Sequence, residues 1–171
     1  MTCAPAIARA AVLAHPQKTA FDYFVRTARA AGAALNVEII PAPIQDIADI
    51  ERTIATVSQV PNSGIIVLPE DTTIANRDLV VALMARHRVP AVYASDFFVA
   101  AGGLMSYGTD IVDHTRRAAP YIDRILRGDK PADLPVQTPI QYETAVNVKA
   151  AKALGLSVPA SLLVRADEVI E

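Results

Sequence analysis

The sequence predicts an α/β fold in which helices cover a parallel sheet. Three observations carry that reading. Short apolar runs alternate with segments of helical period, the connections between them are short, and the run Gly64-Ile-Ile-Val-Leu is continuously apolar rather than alternating. A continuous β-branched run marks a strand buried on both faces, as strands are in a parallel sheet between helical layers. The chain has material for one such core: 171 residues, of which 52% are hydrophobic. Four Phe, five Tyr and no Trp supply little bulk, so Ala, Val, Ile and Leu do most of the filling.

Residues 8–14 form the first strand, stopped by His15-Pro16. Residues 17–32 carry Phe21, Phe24, Val25, Ala28 and Ala31 at helical spacing, with Gly32 as the C-terminal stop. Residues 35–40 alternate and end at Pro41, a second strand. A helix near 45–58 aligns Ile47, Ile50, Ile54 and Val57, and strand 64–68 follows. Pro69 to Thr73 turn the chain into a helix over about 73–87, with Asp71 or Thr72 as N-cap. Arg86-His87-Arg88 places cations at its C-terminus, where they suit the dipole. Strand 90–94, a short segment 97–101, a tight turn at Gly102-Gly103 and strand 104–107 come next. A long helix over 111–127 contains Pro120, which predicts a kink or a late start. Beyond Gly128, residues 129–135 are a Pro-punctuated crossover, 141–146 a strand, 147–154 a helix ended by Gly155, and 159–166 a last turn or two of helix.

Charge and motifs exclude several function classes. Sixteen Lys and Arg against eighteen Asp and Glu leave no basic footprint, so no nucleic-acid partner is expected. Cys3 is the sole cysteine, which excludes an internal disulfide and any CxxC motif; it reads as an inert terminal thiol. The start Met1-Thr2-Cys3-Ala4-Pro5 lacks the basic and apolar regions of a secretory leader, so the chain as written is expected to stay in the cytoplasm or to have lost one. No GxGxxG, GxxxxGK[ST] or GxSxG run occurs, and no cofactor is expected. His15, His87 and His114 lie on separate elements without metal-ligand spacing, so no metal is expected either. A phosphoacceptor receiver would need an acidic pair after the first strand, an Asp after the third and a Lys after the fifth; only Asp71 fits. A two-cysteine racemase fails for want of a second thiol. No nucleophile, base and orienter assemble, so ligand binding without catalysis outranks an enzyme.

In parallel sheets ligands bind outside the carboxyl ends of the strands. That rule selects the loops at 15–18, 41–45, 69–73, 94–97 and 107–110. His15 follows the first strand. Glu70, Asp71, Thr72 and Thr73 combine carboxylates and hydroxyls with a helix N-terminus, which suits either a small zwitterion or plain capping. Tyr93, Ser95 and Asp96 end the fourth strand, and Ser106, Tyr107, Gly108 and Asp110 end the fifth, as a pocket wall or a turn.

Several runs go further. Gly64-Ile-Ile-Val-Leu-Pro-Glu-Asp, Arg86-His-Arg-Val-Pro-Ala-Val-Tyr, Ala101-Gly-Gly-Leu-Met-Ser-Tyr-Gly, Lys130-Pro-Ala-Asp-Leu-Pro-Val-Gln and Asn147-Val-Lys-Ala-Ala-Lys-Ala-Leu-Gly-Leu resemble the ABC-transporter substrate-binding proteins of the tryptophan/tyrosine type. The resemblance implies one lobe of the type I periplasmic-binding-protein fold, with flavodoxin-like topology and C-terminal crossover segments. It divides the chain into a lobe-two-like domain (1–103), a segment that in the family recrosses to lobe one (104–135), and a returning strand with C-terminal helices (136–171). It covers the family's C-terminal half, which leaves two readings: a piece of a longer chain, or a half-size relative that dimerises. The recrossing helix should then expose apolar surface and favour a homo-oligomer.

The resemblance also implies a small polar or amino-acid-like ligand, an ABC permease as partner, and a periplasmic or extracellular setting. Its ligand loop falls on Asp71, Thr72 and Thr73, with Thr72 where some relatives have Asn. Tyr93 and Ser95 would lie near the cleft, and Ser106 and Tyr107 near the hinge. The competing expectation is a stand-alone oligomeric structural or sensory domain that has lost the ligand site.

Overall fold

The structure, a computed structural model, describes residues 7–171; Cys3 lies outside the described residues. Seven strands form one sheet in the order β2-β1-β3-β4-β5-β6-β7. They are β1 (Arg9–Ala14), β2 (Glu38–Pro43), β3 (Ser63–Val67), β4 (Ala91–Tyr93), β5 (Met105–Thr109), β6 (Tyr142–Asn147) and β7 (Glu168–Ile170). The first five run parallel in flavodoxin-like order, β6 pairs antiparallel with β5, and β7 runs parallel to β6.

The continuous apolar strands are explained by cover on both faces. Helices α2 (Ile47–Ser58) and α4 (Arg77–His87) bring Ile50, Ile54, Val80 and Met84 onto Leu13, Ile65 and Val67. On the other face α1 (Phe21–Leu35) lays Phe21 and Val25 on Val12, Ala14 and Leu68. Phe24 and Ile47, expected to face inward, are instead exposed.

Four local expectations are corrected. Helix α1 runs past Gly32 to Leu35 and stops at Asn36, which takes the left-handed conformation at φ 55°. Gly32 serves packing instead: a Cβ there would lie 2.5 Å from the Val37 carbonyl oxygen and 2.9 Å from the Ile39 side chain. The second strand shifts to Glu38–Pro43 and contains Pro41 and Pro43, which it tolerates because β2 is a sheet edge with only β1 to bond. The helix expected over 73–87 is two, α3 (Asp71–Ala75) and α4, broken at Asn76. Its N-cap is Glu70, rather than Asp71 or Thr72.

Helix α6 (Ile111–Leu126) continues unbroken through Pro120 and has no late start. Proline forfeits the bond to the Arg116 carbonyl, but both residues are exposed, so water can take that acceptor. The short helices α5 (Phe97–Ala100), α7 (Val148–Ala153) and α8 (Ala160–Leu163) complete the chain, together with β7, a three-residue strand absent from the sequence reading.

Helix α6 buries none of its residues and exposes Ile111, Val112, Ile122 and Leu126. The chain returns beside it: Tyr121 Oη donates to the Pro135 carbonyl at 2.6 Å, and Arg117 donates to Gln137 Oε1 at 2.9 Å. The sheet face over β4 to β6 likewise leaves Val92, Tyr107 and Tyr142 exposed. Among the described residues no helix is long and apolar enough to cross a membrane.

Candidate functional site at the carboxyl edge of the sheet

The carboxyl ends of β1, β3, β4 and β5 share one edge, and β6 begins there because it runs the other way. Two loop pairs build it. Behind β1, the Gln17 N–H donates to His15 Nδ1 at 3.1 Å, and Lys18 Nζ donates to Thr72 Oγ1 at 3.3 Å, tying this loop to the one after β3. In that second loop the buried Glu70 carboxylate takes the Thr72 and Thr73 N–H groups at 2.8 and 2.7 Å. The two amides of the α3 N-terminus are therefore spoken for by the protein's own carboxylate.

The second pair makes a concavity of about 290 Å³ between Ala94–Asp96 after β4 and Gly108–Val112, which spans the end of β5 and the start of α6, with Glu143 of β6 on its rim. Gly108 permits it: a Cβ there would overlap the Ala94 carbonyl oxygen. Asp96 and Asp110 are helix caps, accepting from the Phe97 and Asp113 N–H groups at 2.8 Å each. Glu143 pairs in register with Gly108. Partial desolvation raises its pKa above the ordinary carboxyl value, as do the charges of Asp110, Asp96, Asp167 and Glu168. A rim of carboxylates suits a ligand that brings a cation or an ammonium group. Among the described residues no group of three or more His, Cys, Asp or Glu is arranged to hold a metal ion.

The candidate site residues named from the sequence divide four ways. Ser95 lines this concavity. Asp71 (exposed), Thr72 and His15 (both partly buried) stand on the neighbouring loops of the same edge. Thr73, Tyr93 and Ser106 are buried. Thr73 Oγ1 donates back to the Glu70 carbonyl at 3.1 Å, which braces the loop. The Tyr93 ring stacks on Phe98, centroids 4.7 Å apart, away from the concavity. Tyr107 lies on the uncovered face of the sheet, stacked on Tyr142 at 5.5 Å and 12°.

Sequence reasoning passed over Thr109 and Glu143 on the concavity wall. Thr109 directly precedes the helix cap Asp110 and was within reach. Glu143 stands more than thirty positions along the chain, and only the antiparallel pairing of β6 brings it in.

A parallel five-strand order with helices on both faces and an antiparallel return matches one lobe of a periplasmic binding protein. The family profile described as "ABC transporter substrate binding protein" matches residues 1–170, and the chain belongs to that family. Among solved structures, the ABC domain in complex with L-Trp from Streptococcus pneumonia is similar, with TM-score 0.88 and 23% identity over 97% of this chain and 56% of that one. A conserved domain protein from Vibrio cholerae is similar with TM-score 0.87 and 21% identity over 96% and 55%. The ligand-free, open structure of CD0873, a substrate binding protein with adhesive properties from Clostridium difficile, has TM-score 0.68 and 18% identity over 98% and 56%. The chain therefore spans just over half the length of these structures. No curated protein matches it.

Proposed function

We propose that this chain is the solute-binding lobe of an ABC importer's substrate-binding protein, taking a small amino-acid-like ligand without catalysis. The observation that carries the reading is the concavity at the strand carboxyl ends, rimmed by Asp96, Asp110 and Glu143. Its carboxylates receive the ligand's ammonium group, Ser95 adds a hydroxyl, and Asp71 and Thr72 extend the polar edge toward His15. Residues 104–135 act as the arm that reaches the complementary lobe, a reading supported by helix α6, none of whose residues is buried. The exposed stripe of α6 seats either that lobe or a second copy of the chain. Family membership supports a membrane permease as partner and a periplasmic or extracellular setting.

The test uses L-tryptophan, L-leucine and L-lysine beside their N-acetyl forms, with melting temperature as readout. At least one free amino acid is expected to raise it while its acetylated form does not. Asp96→Asn with Asp110→Asn, which keeps both helix caps, is expected to remove the shift. Equal shifts with acetylated ligands, no shift with any of them, or an undiminished shift in the double variant overturns the reading.

A further inference from the structure

A second cavity, of about 400 Å³, lies toward the opposite edge of the sheet, among α4, the Gly102-Gly103 turn and α7. Val81, Met84, Leu104 and Leu154 give it an apolar body. Two of its polar lining groups are unusual. Tyr93 is 1% exposed and Asn147 is 6% exposed. Asn147 Oδ1 accepts from the Ala150 N–H at 2.8 Å, but among the described residues neither Tyr93 Oη nor Asn147 Nδ2 has a hydrogen-bond partner. No fully occluded side-chain nitrogen or oxygen among the described residues lacks a partner, so each of these two atoms keeps a sliver of surface, and both residues line the cavity.

Both groups offer N–H or O–H donors, and the remaining charged lining residues, Arg88 and Lys149, are cations; no Asp or Glu lines the cavity. Buried donors without acceptors are costly, and an anionic acceptor repays that cost most fully. We propose that this cavity is a second ligand site, independent of the strand-end concavity, for a small apolar molecule carrying one carboxylate. The apolar body lies against Met84 and Leu154, and the carboxylate accepts from Tyr93 Oη and Asn147 Nδ2 with Arg88 and Lys149 at the mouth. Burial raises the Tyr93 hydroxyl far above its ordinary pKa, so it remains a donor throughout the physiological range.

Octanoate, octylamine and octanol serve as probes of the full chain, read by calorimetry and by the Met84 methyl resonance. Octanoate is expected to bind and to shift Met84 without moving the Gly108 amide, which separates this cavity from the strand-end one. Octylamine is expected not to bind. Tyr93→Phe keeps the ring packing and is expected to weaken octanoate about tenfold, while Ala153→Trp at the exposed mouth blocks it. An unmoved Met84 resonance, equal binding of octylamine, or unchanged affinity in Tyr93→Phe overturns the proposal.

Discussion

Glu143 on β6 faces Gly108 on β5 across the antiparallel pair. Because Gly108 has no side chain, the loop after β4 closes up to it, and the carboxyl of Glu143 comes under the influence of Asp96 and Asp110.

A pH dependence follows with a definite sign. Lost hydration and neighbouring carboxylates raise the Glu143 pKa above 4.5 in the folded chain. The folded state then holds this proton more tightly than the unfolded state, so the favourable contribution is complete at low pH and is lost as pH rises through the folded value. Glu143→Gln removes the repulsion permanently. Its melting temperature is expected to exceed that of the wild type at pH 7, and the gap to close near pH 4. A gap that widens on acidification would show the sign to be wrong.

Gly108→Ala puts a methyl where the Ala94 carbonyl stands. Backbone on both sides must move, at a cost of about 1–3 kcal/mol. Denaturant unfolding should show that loss, and amino-acid binding at the strand-end concavity should weaken with it.

Glu70 holds two backbone N–H groups from a buried position. Glu70→Ala strands both donors and is expected to cost about 1–3 kcal/mol. Glu70→Gln keeps one acceptor oxygen and should fall between the variant and the wild type in chemical denaturation.

The stripe on α6 separates association from folding. Because α6 buries no residue, Ile122→Glu with Leu126→Glu is expected to change the unfolding free energy by no more than about 0.5 kcal/mol. Under the reading that this stripe seats another surface, native mass spectrometry should show the double variant shifted to monomer from the assemblies of the wild type. A substantial loss of stability in the isolated double variant would mean that α6 packs on its own lobe.

The alternation of strands and helices, the parallel sheet and the family resemblance were legible in residue order, because burial on two faces writes itself into unbroken runs such as Gly64 to Leu68. Loop chemistry was half legible. Asp96 and Asp110 stand where a residue after a strand and before a helix should, and both are caps. The cap at Glu70 was missed because α3 begins at Asp71, ahead of the start expected near 73, so Asp71 and Thr72 lie inside the helix and Glu70 precedes it.

Three outcomes belonged to the tertiary structure. Pro41 and Pro43 sit within a strand because β2 lies at the edge, a fact set by strand order rather than by local preference. Tyr93 joins the core and the distal cavity instead of the strand-end concavity, because its side chain takes the face that packs on Phe98. Glu143 reaches the concavity only because β6 runs antiparallel to β5. Periodicity reports which residues seek burial, since that is a local preference. Which loops meet is decided by pairing between strands far apart in sequence, where the energy comes from contacts that residue order does not record.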